Sequence, residues 1–188
     1  MGQPDSPRLT LVAGRSCDGC TMCCKLMKIS VLEKPAFVWC KHCDIGKGCS
    51  IYADRPEVCR DFYCAYRHSA DLGEEWRPSD CKMVVNYEDV RNRINVAVDP
   101  SRKGLWRQSP YIEQIKIWAM NALRQRGHLI VWEGADAIVV LPDREVNFGP
   151  LGNRTLVVMG RSTPLGEQYD ALALEPGDPR LEQYKPTV

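Results

Sequence analysis

The chain has 188 residues, 25 basic against 24 acidic for a net charge of +1, and ten cysteines. Charge is balanced along its length, 12 basic against 11 acidic residues through Val85 and 13 against 13 beyond it, so neither half has the basic excess of a general nucleic-acid binder. No stretch approaches the roughly 18 apolar residues of a membrane span, which leaves one compact domain, or a small metal-stabilised module joined to a modest second unit.

The opening MGQPDS formally fits the N-myristoylation pattern, but it lacks a polybasic second signal and carries Pro4. Before Cys17 the only apolar run is Leu9 to Ala13, too short and wrongly flanked for a secretory leader, so the chain reads as cytoplasmic. Clustered cysteines in that reducing compartment read as metal ligands or redox centres before disulfides.

Residues 15–85 form a cysteine-rich metal-binding region with little hydrophobic periodicity, and such a segment needs staples or metal to fold. Short helical turns are predicted around Thr21 to Lys28 and Arg55 to Tyr63. For the second turn, Asp54 is the expected N-cap, with Glu57 three residues on and Pro56 in the first turn.

Residues 86–174 read as a small α+β unit. Ile94, Val96 and Val98 alternate with Asn95 and Ala97 as a strand ended by Pro100. Ser109 and Pro110 open a helix over Tyr111 to Arg126, with an apolar stripe of Ile112, Ile115, Ala119 and Ala122 and a stop at Gly127. Leu129 to Trp132, Ala137 to Leu141 and Leu156 to Met159 are further strands, with a hairpin turn at Glu133 to Asp136. Trp106, Trp118 and Trp132 fall at core positions of sheet and helix. Residues 175–188 are a polar, Pro-containing tail expected to fray. The fold class is therefore α+β: an irregular cysteine-rich region followed by a small antiparallel sheet with one main helix.

The chemistry lies in the sulfur. Two cysteines separated by two residues place both sulfurs on one cation, and Cys17 with Cys20, Cys20 with Cys23, and Cys40 with Cys43 all have that spacing. Several such pairs in one short region select zinc, iron-sulfur clusters or Cu(I). The run Cys17-x-x-Cys20-x-x-Cys23 has the spacing of bacterial ferredoxins, but the next cysteine, Cys24, is adjacent and no proline follows it. Adjacent Cys23 and Cys24 point different ways from a regular backbone, so one binds while the other packs, bridges or serves a second site. A disulfide framework and a thiol redox catalyst are the weaker alternatives. Cys81, beside Met83 and Val84, reads as packing, and His42 as solvent-facing or supporting a ligand. Arg55, Arg60 and Arg67 either offset an anionic thiolate site or pair with Asp54, Glu57 and Asp61.

CDGCTMCC and CSIYADRPEVCRDFYC, in that order, resemble the two signature blocks of the bacterial CxxCxxCC cysteine-cluster family, described as zinc- or iron-chelating proteins. The resemblance covers residues 17–64 and implies Cys17, Cys20, Cys23, Cys24, Cys49 and Cys59 as ligands, to which spacing adds Cys40, Cys43 and Cys64. The expected function is a small metal-chelating protein whose zinc or iron is structural or cargo, with the metal ion as its partner and neither nucleic acid nor membrane involved. One branch, the flagellin lysine methylases, carries a similar block associated with a 4Fe-4S cluster, which makes an iron-sulfur enzyme or electron carrier the first alternative. No catalytic base, nucleophile pair or GxGxxG loop is legible. A metal-folded platform that binds a protein partner is the second alternative.

Overall fold

The computed structural model describes residues 10–164 and 166–184, so the MGQPDS segment and the end of the tail lie outside the described residues. The chain is α+β and divides into two compact units, Met1–Asn86 and Tyr87–Val188. No helix among the described residues is long and apolar enough to cross a membrane.

The first unit is built from pieces of two to five residues: α1 (Met22–Leu26), β1 (Cys43–Asp44), β2 (Gly48–Cys49), α2 (Glu57–Arg60), α3 (Ala65–His68) and α4 (Pro78–Cys81). A single helical turn does not repay its own nucleation, so each must be held by something else. Long cationic side chains do part of this by binding the carbonyls that helix ends leave free. Arg15 donates to the carbonyls of Tyr66 at 2.6 Å, Ser69 at 2.9 Å and Leu72, around the C-terminus of α3, and lies 4.3 Å over the Tyr66 ring. Lys34 closes α1 in the same way, its ammonium donating to Lys25 O at 2.9 Å and to Met27 O. The Asp54 cap does not form: Pro56, with ψ of 150°, stands outside the helix as its N-cap, so α2 begins at Glu57.

Strand β3 (Met83–Glu88), not anticipated from the sequence, carries the chain across the division. In the second unit, β4 (Arg93–Val98) is followed by α5 (Tyr111–Arg124), β5 (His128–Glu133), β6 (Asp136–Val140), β7 (Glu145–Pro150) and a hairpin of β8 (Thr155–Thr163) and β9 (Gly166–Leu174). The sheet is mixed rather than wholly antiparallel. β4 and β5 run parallel, Arg93 opposite His128 through Val98 opposite Glu133, while β5–β6 and β6–β7 are antiparallel. The cause is α5, a crossover that returns the chain to the starting end of the sheet.

The pleat sorts the core. Ile130, Ala137, Val139 and Leu141 pack with Ala171 of β9, joined by the half-buried Trp132, Leu156 and Val158. The alternate residues Leu129, Val131, Ile138 and Val140 are as fully buried, and α5, which packs on β4, β5 and β6, buries Ile115, Ala119 and Leu123. Helix and hairpin therefore cover opposite faces.

Gly127 has a different task from the one expected. Arg126 takes the left-handed conformation after α5, at φ 60°, and Gly127 is needed because a Cβ there would stand 2.3 Å from the Asn92 carbonyl. The tail includes a 3-10 segment, Pro179–Tyr184, and Arg180 holds Asp178 at 2.8 Å.

His128 opens β5 with its Nε2 buried and without a hydrogen-bond partner. Burial, with the Arg93 charge adding and Glu88 opposing, lowers its pKa to about 4. Between that value and the usual ~6.5 the unfolded chain binds a proton that the folded chain refuses, so stability must rise with pH across this window. Lowering the pH from 7 to 4 is expected to cost about 3 kcal/mol through this group. Urea midpoints measured across the range check it, and His128→Leu should flatten the slope; an unchanged slope would assign the acid sensitivity elsewhere.

Candidate metal centre

All nine expected ligands, Cys17, Cys20, Cys23, Cys24, Cys40, Cys43, Cys49, Cys59 and Cys64, are free thiols in the first unit. They lie in two neighbourhoods that adjoin, Arg55 being within electrostatic reach of both Cys17 and Cys59. In one, the Cys20 amide donates to Cys17 O at 3.0 Å, closing the turn of the first CxxC. The preceding segment is tied to α3 by Val12 N to Arg67 O at 2.9 Å and by the Arg15 clamp, and Cys64 is the N-cap of α3. Burial first, then the neighbouring sulfurs of Cys17 and Cys20, push the Cys64 thiol up to about 11 against the amides of Arg67 and Tyr66. Burial raises Cys20 too, with Cys17 adding and the amides of Met22 and Ser79 and the Arg77 charge opposing.

In the other neighbourhood, the Cys40 amide donates to Cys24 O at 2.9 Å and the Cys43 amide to Cys40 O at 3.0 Å. The β1–β2 pair sets Cys43 opposite Cys49. The buried Thr21 hydroxyl accepts from Gly46 N in the intervening turn at 3.3 Å, tying this hairpin to the start of α1. The Cys24 thiol shares hydrogen bonds with Cys23 and Cys43, and Cys23, then burial, hold its pKa far above the ordinary thiol range. Cys43 is pushed up to about 11 by burial and then by Cys24, and Cys59 is raised by burial and then by Cys24, Cys40 and Cys49. Cys23 is the neighbour that acts most strongly on Cys24, although adjacent residues were expected to diverge.

Among the described residues no three His, Cys, Asp or Glu side chains stand close enough to enclose a metal ion. The donor set is nevertheless of the soft type that zinc and iron-sulfur clusters take, and its surroundings suit an anion. Arg55 Nε and both Nε and Nη1 of Arg67 are buried donors without hydrogen-bond partners. Arg55 lies 3.8 Å over the Tyr52 ring, and Arg60 donates to Arg55 O at 2.9 Å. Lys34, 5% exposed, puts its ammonium within electrostatic reach of Cys40, Cys24, Cys23 and Cys59. Sequence reasoning missed Lys34, since no pattern around it separates it from a solvated surface lysine.

His42 contributes its backbone: its carbonyl accepts from Ser50 N at 2.8 Å and Ser50 Oγ at 3.1 Å. Cys81 is 2% exposed and its thiol donates to Met83 O at 3.5 Å, an arrangement of packing. No family model, curated protein or solved structure matches the chain.

Proposed function

We propose that the protein chelates zinc or iron through thiolates of its first unit, drawn from Cys17, Cys20, Cys23, Cys24, Cys40, Cys43, Cys49, Cys59 and Cys64, with the metal structural or carried as cargo. The observation that supports this most is the crowding of free thiols around the buried Lys34 and around Arg55, whose Nε is buried without a hydrogen-bond partner. Crowded sulfurs resist ionising together, and a soft cation is what makes several of them thiolates at once. The resemblance of residues 17–64 to the CxxCxxCC family supports the same reading, as does a first unit of elements too short to stand alone. Bound there, the metal supplies crosslinks; the chain supplies sulfur ligands and the cations that offset their charge. A protein-interaction role is the second reading, favoured by the exposed Val31, Val38, Ile45, Tyr52 and Val58 of the same unit.

The test is anaerobic purification followed by metal and acid-labile sulfide analysis. Stoichiometric zinc without sulfide is one expected result, and brown protein with iron and sulfide in equal amounts, which moves the protein to the iron-sulfur alternative, is the other. Protein that stays metal-free after incubation with Zn²⁺, or with Fe²⁺ and sulfide, overturns the proposal. Within the bound form, Cys20→Ser or Cys59→Ser should lower the metal content by half or more, whereas Cys81→Ser should leave it unchanged; equal occupancy in all three removes the ligand assignment.

A further inference from the structure

The backbone of the β1–β2 pair sets two of the nine thiols against each other. Cys43 lies directly opposite Cys49, and Asp44 opposite Gly48. The Ser50 amide donates to His42 O at 2.8 Å on the outer side of that pair, and the Cys43 amide is given to Cys40 O at 3.0 Å rather than to Cys49. Cys43 and Cys49 therefore occupy a non-hydrogen-bonded position of the ladder, where facing Cα atoms stand about 4.5 Å apart and both side chains leave the same face. A disulfide spans Cα separations of roughly 4.4–6.8 Å. Among the described residues no other two cysteines face each other across paired strands.

The surroundings of the pair suit it to oxidation. Both thiols are free and partly exposed, whereas Cys40, three residues before Cys43, is buried. Only Ile45, Gly46 and Lys47 join the two strands, with Gly46 at φ 77° and Gly48 at φ 148°, backbone conformations that other residues rarely adopt. Lys47 N donates to Asp44 O at 2.9 Å and the Lys47 ammonium lies 3.1 Å from the Asp44 carboxylate, so the turn is closed from both ends.

We infer that Cys43 and Cys49 are a modification site, joined in a reversible disulfide across the hairpin by a two-electron oxidant of the hydrogen peroxide class. One thiol gives up its proton and its sulfur attacks a peroxide oxygen; the O–O bond breaks, the departing hydroxide takes up a proton, and a sulfenic acid is left. The facing thiol then attacks that sulfur, the S–O bond breaks and the hydroxyl leaves as water with the thiol proton. Both thiols are oxidised, and the peroxide is reduced to water. A further consequence rests on the metal-binding reading above: a disulfide sulfur is not a thiolate ligand, so the bridge takes Cys43 and Cys49 from the metal and releases it.

The experiment exposes the full chain, purified anaerobically, to hydrogen peroxide, alkylates the remaining thiols and maps cross-linked peptides by mass spectrometry. Cleavage after Lys41, Lys47 and Glu57 puts Cys40, Cys43, Cys49 and Cys59 in separate peptides. The expected result is the Cys43 peptide joined to the Cys49 peptide as the main product, undone by dithiothreitol, with Cys43 left alkylated in Cys49→Ser. Oxidation in urea, which removes the register, should scatter the bridges. Cys43 bridged chiefly to Cys24 or Cys40, or left alkylated in the wild-type chain, overturns the inference, and so does the same bridge equally dominant in urea. Metal counted in the same samples separates the two readings. Metal lost in step with the bridge supports both, and metal retained beside the bridge overturns the release. A bridge in a chain that never held metal defeats the metal reading and leaves the modification site standing, whereas bound metal without a bridge overturns the modification site alone.

Discussion

Stripping the metal from the intact protein under reducing conditions is expected to unfold the first unit while leaving the second folded. The helices of the first unit are four or five residues long and its sheet is two residues wide in each strand, far below what propensity sustains in water. Structural zinc in small domains contributes about 10–16 kcal/mol of folding free energy, comparable with the whole net stability of a domain at roughly 5–15 kcal/mol. The second unit has no cysteine and buries a continuous core on both faces of its sheet, so nothing in it depends on thiolate ligation. Hydrogen exchange read by mass spectrometry, before and after chelation, tests this region by region. Protection should vanish from Cys17 to Cys81 and persist through α5, β5 and β6. Unchanged protection in the first unit, with the metal shown to be gone, would refute the coupling of metal to folding.

Replacing Glu133 by alanine is expected to destabilise the second unit by about 3 kcal/mol, because it orphans the buried Trp106 indole and the half-buried Gly104 amide at once. The Glu133 carboxylate accepts from Gly104 N at 2.6 Å and from the Trp106 indole at 2.9 Å, and Arg107 lies 3.5 Å away. It thereby ties the loop before α5 to the end of β5. Trp106 is fully buried, so its N–H cannot turn to water when the acceptor is removed. Arg107 is 39% exposed, and Arg107→Ala is expected to cost about 1 kcal/mol or less despite its second bridge to Glu145. Urea denaturation of both variants decides: equal losses would mean that the buried bonds carry no more than the exposed ion pair.

Much of the second unit was legible because its elements are long enough for periodicity to show. The strand around Ile94 to Val98, the helix after Pro110 and the hairpin over Glu133 to Asp136 all form, each one or two residues longer or shorter than the apolar pattern. β7 and β9 were missed for a physical reason. β7 is half-exposed and ends in Gly149 and Pro150, and the first half of β9, Gly166 to Asp170, is polar and mostly solvated, so neither shows buried alternation. β8 runs four residues past its expected end because backbone pairing, Thr155 opposite Leu174 through Thr163 opposite Gly166, extends beyond the apolar side chains. Asn95, which alternates with Ile94, Val96 and Val98, is itself buried and accepts from the Trp132 indole at 3.0 Å.

Legible before any folding were the class of fold, the separation of a sulfur-rich first half from a cysteine-free second half, and the set of thiols from which any metal centre would be drawn. These follow from residue type and short-range spacing, which a linear chain displays directly. The packing of distant segments settled that β4 and β5 run parallel, that Gly127 is required by the Asn92 carbonyl, and that Lys34 is buried beside Cys24 and Cys40. Each of these depends on contacts between residues distant in the chain or on which side of a short turn a side chain leaves. Neither is encoded in a local pattern, because the same local spacing meets different neighbours according to what the rest of the chain packs against it.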